Sequence, residues 1–219
     1  MKILMTGSTG MIGKLVLEHG LQSDQISRVN TLVRRASGAV HPKLNEFVLS
    51  DFSDYSGLDH AFRDTDIAFF CLGVYTGSVS DEELKRITVD YAVQFATTLA
   101  QHATGATFCL LSGAGADRSE KSKTSFARYK GMAENQIAAL PLKSYFFRPG
   151  YIYPVEPRKE PNAGYALIRF LYPLIRLFGR KYSIPSTELA RAMFEVALHG
   201  NEKQELENQD IVKIFKDLE

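Results

Sequence analysis

The stretch Lys2-Ile3-Leu4-Met5-Thr6-Gly7-Ser8-Thr9-Gly10-Met11-Ile12-Gly13 decides the fold. Lys2 to Thr6 has the composition of a short buried strand, and the helical pattern Ile12, Val16, Leu17, His19, Leu21 follows at once. Each glycine between them has a physical reason. Gly7 permits a tight turn, Gly10 lets the backbone approach a ligand, and Gly13 lets the helix pack closely on the strand. A helix that opens on such a turn aims its first N–H groups at an anion. The spacing therefore predicts a pyrophosphate held by Gly7, Ser8, Thr9, Gly10, Met11, Ile12 and Gly13.

Outward from this turn, strand and helix patterns alternate. Strands are expected at Val29–Val33, 46–49, 66–71, Thr107–Leu111 and 145–148, the run at 66–71 being apolar on both faces as central parallel strands are. Helices are expected at about 55–63, 81–102 and 125–140; Ser80 and Glu83 fit a capping box for the second, and Leu84, Ile87, Tyr91, Phe95 and Leu99 form its apolar stripe. This order predicts an α/β doubly wound parallel sheet with right-handed crossovers. After Gly150 the pattern weakens. Residues 151–162 read as a loop, 163–178 and 186–199 as helices, and 210–215 as a possible edge strand. The expected organisation is one dinucleotide-binding domain over residues 1–219. Its C-terminal helices lie over the strand carboxyl ends, and 151–200 form a cap facing substrate or partner.

Composition removes several alternatives. The 219 residues carry a net charge of +1 and 45% hydrophobic residues, which gives no basic face for nucleic acid to favour. No apolar run reaches the roughly 20 residues of a spanning helix. Cys71 and Cys109 sit in apolar strand patterns and read as buried thiols, with no metal site and a cytoplasmic location expected.

The end of the second strand carries Arg34-Arg35, where a site selective for NAD tends to place an acidic residue on the ribose 2′-hydroxyl. Two guanidinium groups suit a 2′-phosphate, so NADP is expected over NAD; the alternative is a pair of solvated arginines. Asp51 and Phe52 follow the third strand. The Asp51 carboxylate either accepts a hydrogen bond from the adenine amino group or caps the next short helix. Leu72 and Gly73 end the fourth strand, where a small residue admits close approach of the cofactor.

These motifs resemble the atypical short-chain dehydrogenase/reductases, in the NmrA-like and Tat-interacting-protein-like branch. The resemblance is carried by the glycine turn, Leu32-Val33-Arg34-Arg35, Cys71-Leu72-Gly73, Leu111-Ser112-Gly113-Ala114, Tyr129-Lys130-Gly131-Met132-Ala133-Glu134, Phe147-Arg148-Pro149-Gly150 and Glu188-Leu189-Ala190-Arg191-Ala192-Met193. It implies a catalytic set of Ser or Thr after the fifth strand, then Tyr and Lys four apart on the next helix. Ser112 and Lys130 fit the first and last places, and Lys130 would also hold the nicotinamide ribose.

Four residues before Lys130, however, stands Phe126, which has no proton to give. Tyr129 is adjacent to Lys130, and neighbours on a helix point about 100° apart. Proton transfer then falls to another donor (Tyr151, Tyr153, a water on Ser112, or none with a quinone-like acceptor), or the domain binds cofactor without turnover. Two readings follow: an NADPH-dependent oxidoreductase of unknown carbonyl or quinone-like substrate, and a non-catalytic NADP(H) sensor or scaffold. The basic-spotted helix expected at 163–178 reads as a lid over the pocket or as a docking face.

Overall fold

The computed structural model describes residues 1–74, 77–155 and 181–218. Its chain runs β1 (Lys2–Thr6), α1 (Met11–Gln22), β2 (Arg28–Val33), β3 (Leu44–Val48), α2 (Asp59–Phe62) and β4 (Ile67–Phe70). Next comes a long helix in three parts: α3 (Asp81–Lys85), a π-helical turn (Arg86–Asp90) and α4 (Tyr91–His102). It is followed by β5 (Thr107–Leu111), α5 (Ser125–Ala138), β6 (Lys143–Arg148), β7 (Tyr151–Tyr153), β8 (Ser183–Pro185), α6 (Ser186–His199), β9 (Glu205–Glu207) and α7 (Asn208–Lys216).

Seven strands form one sheet in the order β3-β2-β1-β4-β5-β6-β9, and every pairing in it is parallel. Side chains alternate across it as the pleat requires. Ile3, Met5, Ile67, Phe69, Cys109 and Phe147 face one way and pack with residues of α1, α6 and α7. Leu4, Ala68, Phe70, Phe108, Leu110 and Phe146 face the other way, with α2, α4 and α5. The strands are apolar on both faces because both faces are covered.

The long crossover from β4 to β5 starts as its sequence signals. Ser80 Oγ accepts a hydrogen bond from the Glu83 N–H at 3.2 Å. The return half of the capping box is not made among the described residues; Glu83 pairs with Arg86 instead. The expected single stripe is also divided. Leu84 packs with Val89 and Tyr129, whereas Phe95 and Leu99 join the core over the sheet.

Three expectations after Gly150 change. Tyr151–Tyr153 is a strand rather than loop, paired parallel with Ser183–Pro185 in a separate two-stranded sheet. Residues 186–199 are helical as expected, but α6 lies in the layer beside α1. Its Leu189, Ala190, Met193, Val196 and Ala197 are buried there, which removes this helix from the expected cap. The expected edge strand at 210–215 is helix α7, and the edge strand is Glu205–Glu207. Glu207 and Asp210 form a reciprocal capping box, and Ile211 and Val212 are buried against the core. The helix expected at 163–178 lies outside the described residues.

Candidate functional site

At the β1–α1 connection Gly7 has φ +73°, the left-handed region open to glycine. A Cβ at Gly7 would lie 2.6 Å from the Cys71 carbonyl, so the turn is pressed against the end of β4. A Cβ at Gly13 would lie 2.1 Å from the Gly7 carbonyl oxygen, so the first turn of α1 is pressed against the glycine turn. Gly10 N-caps α1 without a side-chain bond, and no acidic residue stands in the first turn. The positive end of the helix is thereby left for an anion from outside. Ser8 Oγ and Thr6 Oγ1 are buried at this turn with no hydrogen-bond partner, as groups awaiting a polar ligand would be. Geometry and donor chemistry both fit a dinucleotide pyrophosphate.

A cavity of about 660 Å³ opens from here along the carboxyl ends of β1, β4, β5 and β6. It is lined by Gly10, Met11 and Ile12 from the start of α1, by Leu72 and Gly73 after β4, and by Ser112, Phe126, Lys130 and Tyr151. Of the site residues singled out from the sequence, Gly10, Met11, Ile12, Leu72, Gly73, Ser112 and Lys130 line this cleft, whereas Gly7, Ser8, Thr9, Gly13, Arg34, Arg35, Asp51 and Phe52 do not. Arg34 and Arg35 are exposed directly after β2, next to β1 in the sheet, with no ion pair among the described residues. Asp51 accepts the Ser53 N–H at 2.9 Å, and this bond holds its carboxyl below the usual range. It caps a local turn; α2 begins at Asp59 with Leu58 as N-cap. The Phe52 side chain is buried in the core, which leaves its backbone for a ligand.

Around Lys130 the geometry is close. Its ammonium donates to the Leu111 carbonyl at 3.0 Å, and the residue is 9% exposed. Burial lowers its pKa to about 8, against the opposing pull of Glu134. Phe126, one helical turn earlier, faces the same cleft, and a Cβ on Gly113 would lie 2.5 Å from its ring. Tyr129 turns away. Its hydroxyl donates to Asp81 Oδ2 at 2.5 Å, across at the start of α3. Cys71 also lines the cleft, and burial pushes its thiol up to about 12, so it stays neutral.

Ser112 Oγ donates to Glu134 Oε1 at 2.6 Å. Glu134 is fully buried and is also held by Arg148, whose Nε donates to Oε1 at 3.0 Å and whose Nη2 pairs with Oε2. Arg148 reaches Glu205 at 3.1 Å and Glu207 at 3.0 Å as well. The hydrogen bond to Glu134 first, and then Glu207 and Glu205, raise the pKa of Arg148, whose guanidinium is the cation paired with the Glu134 carboxylate. An ionised carboxylate only accepts, so Ser112 must give its proton to Glu134 and shows the cleft lone pairs.

Sequence reasoning missed Glu134 and Arg148. Both stood in the quoted motifs, but their pairing depends on α5 lying over β6. It also missed Thr88, a buried cleft residue supplied by the π turn. Such turns recur at functional sites, yet no residue pattern marks them.

Among the described residues no three or more His, Cys, Asp or Glu are grouped to hold a metal, and no helix is long and apolar enough to cross a membrane. Curated relatives include Protein fmp52, mitochondrial, of Aspergillus niger, 27% identical over 174 residues, which cover 76% of this chain and 72% of the relative. The Emericella nidulans protein of the same name is 29% identical over 175 residues, 77% of this chain and 73% of its own. These names overturn the expected cytoplasmic location.

Among solved structures, yeast methylglyoxal/isovaleraldehyde reductase Gre2 complexed with NADPH superposes with a TM-score of 0.70 at 16% identity, covering 94% of this chain and 77% of that one. The Bordetella bronchiseptica enzyme WbmG in complex with NAD gives 0.69 at 14%, over 99% and 76%. Both likenesses show the Rossmann fold. A family described as NAD(P)H-binding matches residues 7–199, the span from the glycine turn to the end of α6. The chain belongs to this NAD(P)H-binding family.

Proposed function

We propose that this chain is an NADPH-dependent oxidoreductase of the NmrA-like kind, acting on a carbonyl or quinone-like substrate. The observation that carries the reading is the continuous cleft from the N-terminus of α1 to Ser112 and Lys130. The residues that would hold the dinucleotide are the Gly7–Gly13 turn for its pyrophosphate, Arg34 and Arg35 for a 2′-phosphate, Asp51 and the Phe52 backbone near the adenine, Leu72 and Gly73 along the wall, and Lys130 for the ribose. Bound there, NADPH supplies a hydride. The protein supplies orientation, and Leu72, Val74, Phe126, Pro149 and Ile152 supply an apolar lining that suits a compact, largely apolar substrate. The mitochondrial names of the relatives support that compartment for this chain.

The chain has no tryptophan, so the fluorescence of bound NADPH is read against a quiet background. Titration should show NADPH binding at least tenfold tighter than NADH, with Arg34→Ala and Arg35→Ala together erasing the difference. Equal wild-type affinities would refute the 2′-phosphate assignment. No binding of either at micromolar concentration would refute the whole reading. NADPH consumption against a panel of aldehydes, ketones and quinones tests turnover.

A further inference from the structure

We infer that Lys130 is the catalytic acid of this cleft, its ammonium giving the substrate oxygen the proton that a tyrosine at position 126 would have given. The inference rests on the oxidoreductase reading and deepens it. It follows from where the donors of the described cleft stand; Thr88, an aliphatic alcohol on its wall, is too weak an acid to serve. Phe126 occupies the place on the α5 face one turn before Lys130 and has no ionisable hydrogen. Tyr129 is bonded to Asp81, away from the cleft. The Tyr151 ring lines the cleft, but its hydroxyl is buried out of reach of solvent. The Ser112 hydroxyl already donates its hydrogen to Glu134, and that carboxylate is paired with Arg148. The Cys71 thiol is held neutral by burial.

Lys130 remains. It lines the cleft beside Ser112, and the Leu111 carbonyl at 3.0 Å anchors one of its three N–H groups, leaving donors over. The same burial that excludes water makes the ammonium a better acid, at about 8 instead of 10.5. A general acid serves best with a pKa near the working pH. Ser112, with lone pairs toward the cleft, is suited to accept a hydrogen bond from the ammonium or from the product hydroxyl.

The step balances. Bound NADPH would supply the hydride for the carbonyl carbon and leave as NADP⁺, so the substrate would gain two electrons. The C=O π bond opens, and its oxygen takes a proton from Nζ. The neutral amine regains a proton from water at the cleft mouth. Reduction therefore needs the charged amine and declines as pH rises through about 8, whereas alcohol oxidation needs the neutral amine and rises over the same interval.

The test pairs a titration with kinetics. The Nζ resonance of Lys130 is followed by NMR across pH in the free protein, assigned by its loss in Lys130→Arg. A midpoint near 8 is expected, and one above 10 overturns the inference. In carbonyl reduction, the wild-type kcat should fall about tenfold per pH unit above that midpoint. Lys130→Arg keeps a cationic donor for the ribose but holds its proton. It should lose about 100-fold or more in kcat, lose the pH limb, and bind NADPH within about threefold of wild type, which also reports that it folds. Phe126→Tyr added to Lys130→Arg should return at least tenfold of the lost rate. Turnover by Lys130→Arg equal to wild type overturns the role of Lys130 alone. A wild type that binds NADPH and turns over nothing in the panel overturns the oxidoreductase reading, and this inference with it.

Discussion

Arg148 draws three carboxylates to the carboxyl end of β6, and one of them, Glu134, has no contact with solvent. Burying a carboxylate is tolerable only when its lone pairs are met, and here Ser112 and the guanidinium meet them. Arg148→Met removes the cation that partners buried Glu134, and should destabilise the fold by about 3–5 kcal/mol in urea unfolding. Arg148→Met with Glu134→Leu should recover most of that loss, because neither charge remains. Recovery would leave the Ser112 hydroxyl free to rotate, so the pair sets the polarity of the cleft more than it sets stability. At this scale the sequence was legible where a residue acts alone: Gly7, Phe126 and Lys130 each declare their part. Ser112 was legible in place but not in direction, because its proton is claimed by a residue from another element.

Among the elements, the glycine turn and α1 separate folding from binding. A Cβ at Gly13 meets backbone at 2.1 Å, whereas one at Gly10 meets only the Gly7 carbonyl oxygen at 3.2 Å. Gly13→Ala should therefore destabilise by at least about 1–3 kcal/mol, as overpacking does. Gly10→Ala should unfold in urea near wild type yet lose tenfold or more in NADPH affinity, measured by fluorescence. The core strands were readable because burial on both faces demands continuous apolar runs. Tyr151–Tyr153 was not, since three half-buried residues after Pro149-Gly150 look like loop until Ser183–Pro185 comes alongside. The tail was misread because Ile211-Val212 suits a strand as well as a helix, and the cap made by Glu207 and Asp210 decides between them.

For the whole molecule, the sheet order explains where the cleft lies. The chain winds outward from β1 to β3, then returns to place β4 on the other side of β1. Crossovers on either side of that reversal leave opposite faces, and the gap at the carboxyl ends of β1 and β4 is the cleft. A ligand in it touches the ends of four strands and so ties both halves of the sheet together. NADPH at about a hundred times its Kd contributes about 2.7 kcal/mol to the folded state. For a chain of this size that should raise Tm by about 5–10 °C in a thermal melt. The fold class was legible from strand and helix alternation. The layer that holds α6 was not, because an amphipathic helix does not say which of two apolar surfaces it will meet.

The π turn at Arg86–Asp90 has a consequence for how this helix tolerates change. A single added residue advances everything beyond it by about 100° around the axis, so α3 and α4 are read in different phases. The first phase aims Leu84 at Tyr129, and the second aims Phe95 at the sheet. The two ends of one rod thus answer to different neighbours, and Thr88 sits at the junction, on the cleft wall. Substitutions on either side are local matters. A change of length by one residue is not, because it would bring the two phases into one and leave one end of the helix facing the wrong neighbour.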